Sequence, residues 1–176
     1  LKTTVGGTFQ FGNASTPVGS VFDISSSITL DLITSGVNAD LSLSNDTRVN
    51  QLALDNSTTI DLNNFALKKE ISGLGSFTLR LDDGSGNAIP VTINLTAGTV
   101  GANATIDVLS TDSKHPDNAN NTDYLSRFWE INTNDISNPE YSVNLTYSNS
   151  DIVGTESNIS MGGYTGSLPW VKYNPA

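Results

Sequence analysis

The sequence predicts an all-β chain, an antiparallel β-sandwich extended by a few β-solenoid-like rungs. Three observations carry that expectation. Apolar residues alternate with Thr, Ser, Asn and Asp in short runs, which is the period of a strand with one buried face. Each run stops at Gly, Asn, Asp or Pro, the residues that turns demand. No stretch repeats its apolar residues at helical spacing.

The elements follow in chain order. Thr8-Phe9-Gln10-Phe11 has strand character, and Ile28-Leu30-Leu32 and Val37-Ala39-Leu41-Leu43 alternate cleanly. Leu52-Leu54, Ile60-Leu62 and Phe65-Leu67 are shorter and closed by Asp55-Asn56-Ser57 and Asn63-Asn64. Short strands with Asn-rich corners fit solenoid rungs, and they fit an antiparallel meander equally well. Asp83-Gly84 and Gly86-Asn87 lie between Phe77-Leu79-Leu81 and Val91-Ile93-Leu95, so a β-hairpin is expected there. Pro90 would sit at an edge or turn its missing donor to solvent. After Ile106-Val108, residues 110–123 lose all apolar periodicity and read as a long polar loop. Trp129-Ile131 and Tyr141-Val143-Leu145-Tyr147 are read as strands of one core, separated by the turn signal Asn138-Pro139.

At 176 residues the chain is expected to form one domain over 1–176, with N-terminal strands in 1–46 and a β-sandwich module in 47–176. Eighteen acidic against eight basic residues give a net charge of -10, which repels phosphate backbones and excludes nucleic acid as a partner. No apolar run nears the ~20 residues of a membrane-spanning helix. The absence of Cys excludes a disulfide scaffold. A start at Leu1 without Met, and without a signal-peptide core, is expected of a processed product or a piece of a longer chain. Its ends, Leu1 and Ala176, are expected to be tied down.

Candidate chemistry is sparse. His115 is the single histidine, lies between Lys114 and Pro116, and would have to carry any Ser-His-Asp triad or zinc site alone. The scarce glutamates Glu70, Glu130, Glu140 and Glu156 show no spacing that selects a glycosidase pair. Calcium is the better ionic expectation, because hard cations take many oxygen ligands. Asp112, Asp117, Asn118 and Asp123 are its candidate ligands in the long loop, beside a solvated-loop alternative. Residues 82–87 offer oxygens as well, although a plain hairpin turn explains them. Trp129, Trp170, Tyr164, Tyr141 and Tyr147 are either core or a platform for a surface glycan. Eight Asn-x-Ser/Thr acceptors, at Asn13, Asn45, Asn56, Asn94, Asn103, Asn120, Asn144 and Asn158, arise mostly from composition. Lys68-Lys69-Glu70 reads as an exposed charged edge, which speaks against an isopeptide bond there.

From Val49 onward the chain resembles β-rich modules of very large secreted surface proteins and adhesins of the Bacteroidota. The resemblance is carried by Val49-Asn50-Gln51-Leu52-Ala53-Leu54, Thr59-Ile60-Asp61-Leu62-Asn63-Asn64 and Pro90-Val91-Thr92-Ile93-Asn94-Leu95. It continues through Lys114-His115-Pro116, Tyr124-Leu125-Ser126-Arg127-Phe128-Trp129-Glu130-Ile131-Asn132, Tyr141-Ser142-Val143-Asn144-Leu145-Thr146-Tyr147 and Asp151-Ile152-Val153-Gly154-Thr155-Glu156. Residues 1–46 have no counterpart. The resemblance implies a repeat or spacer unit of an exported cell-surface protein and no catalytic activity. The expected role is structural and adhesive, in an extracellular fibre whose partners are copies of the chain or adjacent modules. A carbohydrate-binding module of a secreted glycan-active protein is the alternative. Phe9, Phe11 and Trp170 are the candidate subunit contacts, with the N-terminal run completing a neighbour's sheet by strand donation.

Overall fold

The computed structural model describes residues 4–173. Its strands are β1 (Thr4–Phe11), β2 (Ser20–Ile24), β3 (Thr29–Ser35), β4 (Ala39–Leu43), β5 (Thr47–Ala53), β6 (Ile60–Asp61), β7 (Leu67–Glu70), β8 (Gly75–Asp82), β9 (Ala88–Thr111), β10 (Tyr124–Leu125), β11 (Phe128–Leu145), β12 (Ile152–Val153), β13 (Gly162–Gly163) and β14 (Val171–Lys172). Strands make up 56% and helix 4%, so the all-β class holds.

Among the first eight strands none pairs with another that is next to it in the chain. β1, β3, β5 and β7 stack in parallel in one arm, and β2, β4, β6 and β8 stack in parallel in the other. Each coil thus contributes one strand to each arm, giving about three turns of solenoid. Leu30, Val49, Leu67 and Ile106 on one arm and Leu41, Ile60, Leu81 and Val91 on the other belong to a single buried cluster. Within the large sheet, antiparallel pairing is confined to the last layers, where β9 joins β7 and β8, and β11 joins β9; β10 with β12 and β13 with β14 form two small antiparallel pairs beside it. This corrects the expected antiparallel sandwich in favour of the rung reading. The parallel ladder also runs through position 46 without a break, because β3 pairs with β5 and β4 with β6 on either side of it.

The reason lies in the corners. Asn38, Asn63 and Asn64 take positive φ of 61°, 46° and 62°, which Asn tolerates better than most side chains, and they turn the chain to the opposite arm. Polar side chains then bond one rung to the next. Asn50 donates to Asp31 Oδ1 across 19 residues at 2.9 Å, Asn63 donates to Ser42 Oγ at 2.6 Å, and the Ala66 N–H donates to Asp46 at 2.9 Å. Such ladders hold equivalent positions in register and leave the apolar alternate residues in the middle.

Residues 83–87 change the pattern. The Asp83 N–H donates to the Asn87 carbonyl at 3.0 Å, with Gly84 and Gly86 at φ 87° and 85°, so the expected hairpin forms. The chain returns as β9, whose 24 residues run along β8, bend, and continue along β7. β11 follows β9 round the same bend, with register breaks between Asn134 and Tyr141. Gly101 permits this nesting, since a Cβ there would stand 2.3 Å from the Asp135 carboxylate, which accepts the Asn103 N–H at 2.9 Å. The Pro90 carbonyl faces Thr146, just past the end of β11, so its missing N–H interrupts no bond to β8.

Two burial expectations are corrected. Trp129, Ile131, Val143 and Leu145 pack against the core, but Tyr141 and Tyr147 are 40% and 36% exposed, because no strand lies beyond β11 among the described residues. Lys68-Lys69-Glu70 is no exposed edge: β7 lies between β5 and β9, and Glu70 is only 9% exposed and bonded to Arg48 at 2.8 Å. Lys69 Nζ reaches the carbonyls of Asn50 and Glu70, and burial lowers its pKa from the usual lysine value.

Candidate functional site

The segments outside the ladder, 112–127 and 146–173, are held by a buried arginine. Arg127 and Asp151 are 5% and 3% exposed, and Arg127 Nε donates to Asp151 Oδ2 at 3.0 Å. The same guanidinium donates to Ser110 Oγ at 3.1 Å and to the Asp83 carbonyl at 2.8 Å. Asp151 Oδ2 accepts the Ser148 N–H at 3.0 Å, and its carbonyl accepts the Ser126 N–H at 2.7 Å. A buried ion pair stabilises only when its remaining hydrogen-bonding capacity is met, and here it ties together the hairpin, the end of β9, the loop and the C-terminal segment. Burial pushes the Asp83 carboxyl up, but bonds from the Asn87 amide, the N–H groups of Ser85 and Asn87 and the Ser148 hydroxyl outweigh it and hold its pKa below 3.8.

The four candidate calcium ligands are each engaged separately. Asp112 lies 3.5 Å from Arg127 Nη2. Asp117 accepts the Tyr164 hydroxyl, a bond that raises the tyrosine pKa. Asn118 Oδ1 accepts the Asn120 N–H at 3.0 Å. Asp123 Oδ1 accepts the Thr155 N–H at 2.7 Å, the main cause of its lowered pKa. Among the described residues no three His, Asp or Glu side chains gather as metal ligands. Calcium in this loop would have to exchange those contacts for its own.

His115 is enclosed by rings. Phe128 lies 4.8 Å away edge-on, Tyr164 4.9 Å away at 59°, and Trp170 4.9 Å away edge-on. Its Nδ1 accepts the Asp117 N–H at 3.1 Å, and the Asp117 carbonyl accepts Trp170 Nε1 at 3.4 Å. His115 thus pins the C-terminal segment to the loop, a packing role. Tyr164 and Trp170 are inclined at 39° to each other, unlike the coplanar strip a sugar platform needs. Of the four glutamates, Glu70 is tied to Arg48 and Glu156 to the Tyr147 hydroxyl at 2.8 Å, on separate elements.

The candidate subunit contacts divide. Trp170 is spent on His115 of its own chain. Phe9 and Phe11 lie on β1, which pairs along one edge with β3 of its own chain. Both remain half-buried at the end of the stack, and Phe11 meets Phe22 of β2 at 6.0 Å. The tied ends expected at Leu1 and Ala176 lie outside the described residues.

Sequence reading missed Arg127 as the centre of the cap. The available signal was composition: it is one of three arginines, set between Ser126 and Phe128. No protein-family model, curated protein or solved structure matches the chain.

Proposed function

We propose that this chain is a structural module of an extracellular surface fibre, repeating or polymerising along the filament that carries adhesion. The observation that supports this most is the open-ended stack. Among the described residues β1 pairs only with β3, β2 only with β4, and β11 only with β9, so both ends of the ladder present free strand edges. Repeat architectures bury their core by adding neighbours, and each end is a surface to which another layer can be added. The acidic, cysteine-free composition and the resemblance to β-rich modules of Bacteroidota surface proteins support the same reading. No residue is assigned a catalytic role. The test is immunogold electron microscopy of source cells with antibodies against the folded chain. Label along extended surface filaments is the expected result, and label confined to the cell interior removes the proposal.

A further inference from the structure

The two ends of the stack have matching polarity. In β1 to β8 the chain passes from one arm to the other in the same sense at every coil, and successive layers are parallel. β9 breaks this, running antiparallel to β7 and β8. β11 then runs antiparallel to β9 along both of its halves, and the two reversals cancel. Phe128 to Asn134 therefore point the same way as β7, and Tyr141 to Leu145 the same way as β8. The last layer follows the path and direction of a solenoid coil, as does the first layer, β1 with β2.

We infer that a second copy of this chain docks its first layer, β1 and β2, onto β11, so that copies stack head to tail through parallel strand pairing. This rests on the fibre reading and names its contact. Continuity with the rung-to-rung interface is the first argument: β1 and β2 of the incoming copy would add to β11 in the orientation in which β3 and β4 add to β1 and β2. The second is apolar. Phe9, Phe11 and Phe22 at one end, and Trp129, Ile131 and Val143 at the other, are half-buried residues packed against the core, with no further strand of the sheet beyond them among the described residues. The third is charge. Residues 4–28 contain one charged side chain, Asp23, in a chain of net charge -10, whereas β11 carries Glu130, Asp135 and Glu140. Neutral end on acidic end avoids the juxtaposed carboxylates that two β11 edges would bring together. Val21 on β2 is 62% exposed, and β1 and β2 contain no Lys or Pro, two of the usual guards of a free edge. The Asn138-Pro139 irregularity of β11 falls at the bend between the arms, where the other coils have corners and need no pairing. A head-to-tail contact that continues the coil axis brings no two ends back together, and so propagates as a filament rather than a ring.

The experiment uses the purified chain in analytical ultracentrifugation over about a thousandfold range of concentration, with two end-blocked variants. Phe11→Lys and Ile131→Lys each place a charge at a half-buried end position, where it reaches water in a single copy and is trapped in a stack. The expected result is concentration-dependent growth of the parent, loss of growth in each variant alone, and a two-chain species with nothing larger when the variants are mixed. A parent that stays monomeric overturns the inference. So does an Ile131→Lys chain that dimerises alone, which would show head-to-head pairing. Should a variant fail to fold by circular dichroism, hydrogen exchange on the parent decides: β1, β2 and β11 amides gain protection together as concentration rises, and their failure to do so overturns it. Stacking without surface label in the microscope would leave this contact and remove the fibre. Surface label with a chain that never stacks would do the reverse.

Discussion

The parallel coils, residues 4–82, and the cap, residues 83–173, solve the same problem with different means. In the coils every strand is held by neighbours about twenty residues away, through repeated corners and side-chain ladders such as Asp31 to Asn50. In the cap the decisive contacts are not repeated: Arg127 reaches Asp83, Ser110 and Asp151 across separations of up to 44 residues. A repeated contact tolerates loss because its neighbours carry the same load, whereas a unique buried pair leaves an uncompensated charge when one member is removed. The coils thus rest on one repeated pattern, and the cap on contacts made once.

The comparison breaks most severely at the cap. Arg127→Ala is expected to cost about 3–5 kcal/mol, with Arg127→Met/Asp151→Leu recovering most of it, as measured by urea unfolding. If the single variant is near neutral, the cap is not the unique element described. Next comes the middle of the stack, where Leu81→Ala removes a side chain with 0% exposure and should cost about 3 kcal/mol. At the open end, Phe9→Ala should cost only about 1 kcal/mol, because the ring already meets solvent on one side. A cost equal to that at Leu81 would mean that the first layer is covered in solution.

The smallest effect sharpens the comparison through pH. Asp83 and Asp123 in the cap, and Asp46 and Asp55 in the coils, all have carboxyl pKa values held below the ordinary 3.8. Their folded values lie under the unfolded value, so their contribution is complete above about pH 4 and is lost as pH falls through the folded values. These four carboxyls should leave the melting temperature unchanged above that point and lower it below. Lys69 has the opposite sense: its pKa is lowered by burial, so stability gains as pH rises from its folded value toward 10.5. Replacing Lys69 with Met should abolish that alkaline gain in a pH-dependent melt.

Local chemistry was legible where it acts over a few residues. Alternation identified the inward rows of β4, β8 and β9, and the Asp-Gly and Gly-Asn pairs placed the hairpin at 83–87, because strand period and positive φ are properties of the residues themselves. The Asn-rich corners admitted solenoid rungs or a meander. Only the tertiary structure chose between them, since Leu30 finds Val49 rather than a chain neighbour through ladders that exist once the coils are stacked. The same holds for the outlying features. Glu70 is buried where Arg48, 22 residues away, bonds it, and Tyr141 is exposed where no strand lies beyond β11 among the described residues, and neither fact is written in the residues that flank them. Sequence by itself determined that this chain is acidic, all-β and turn-rich, since these follow from composition and period. Which strands are neighbours, where the stack ends, and that its two ends share one polarity were decided by long-range pairing, whose partners no local pattern names.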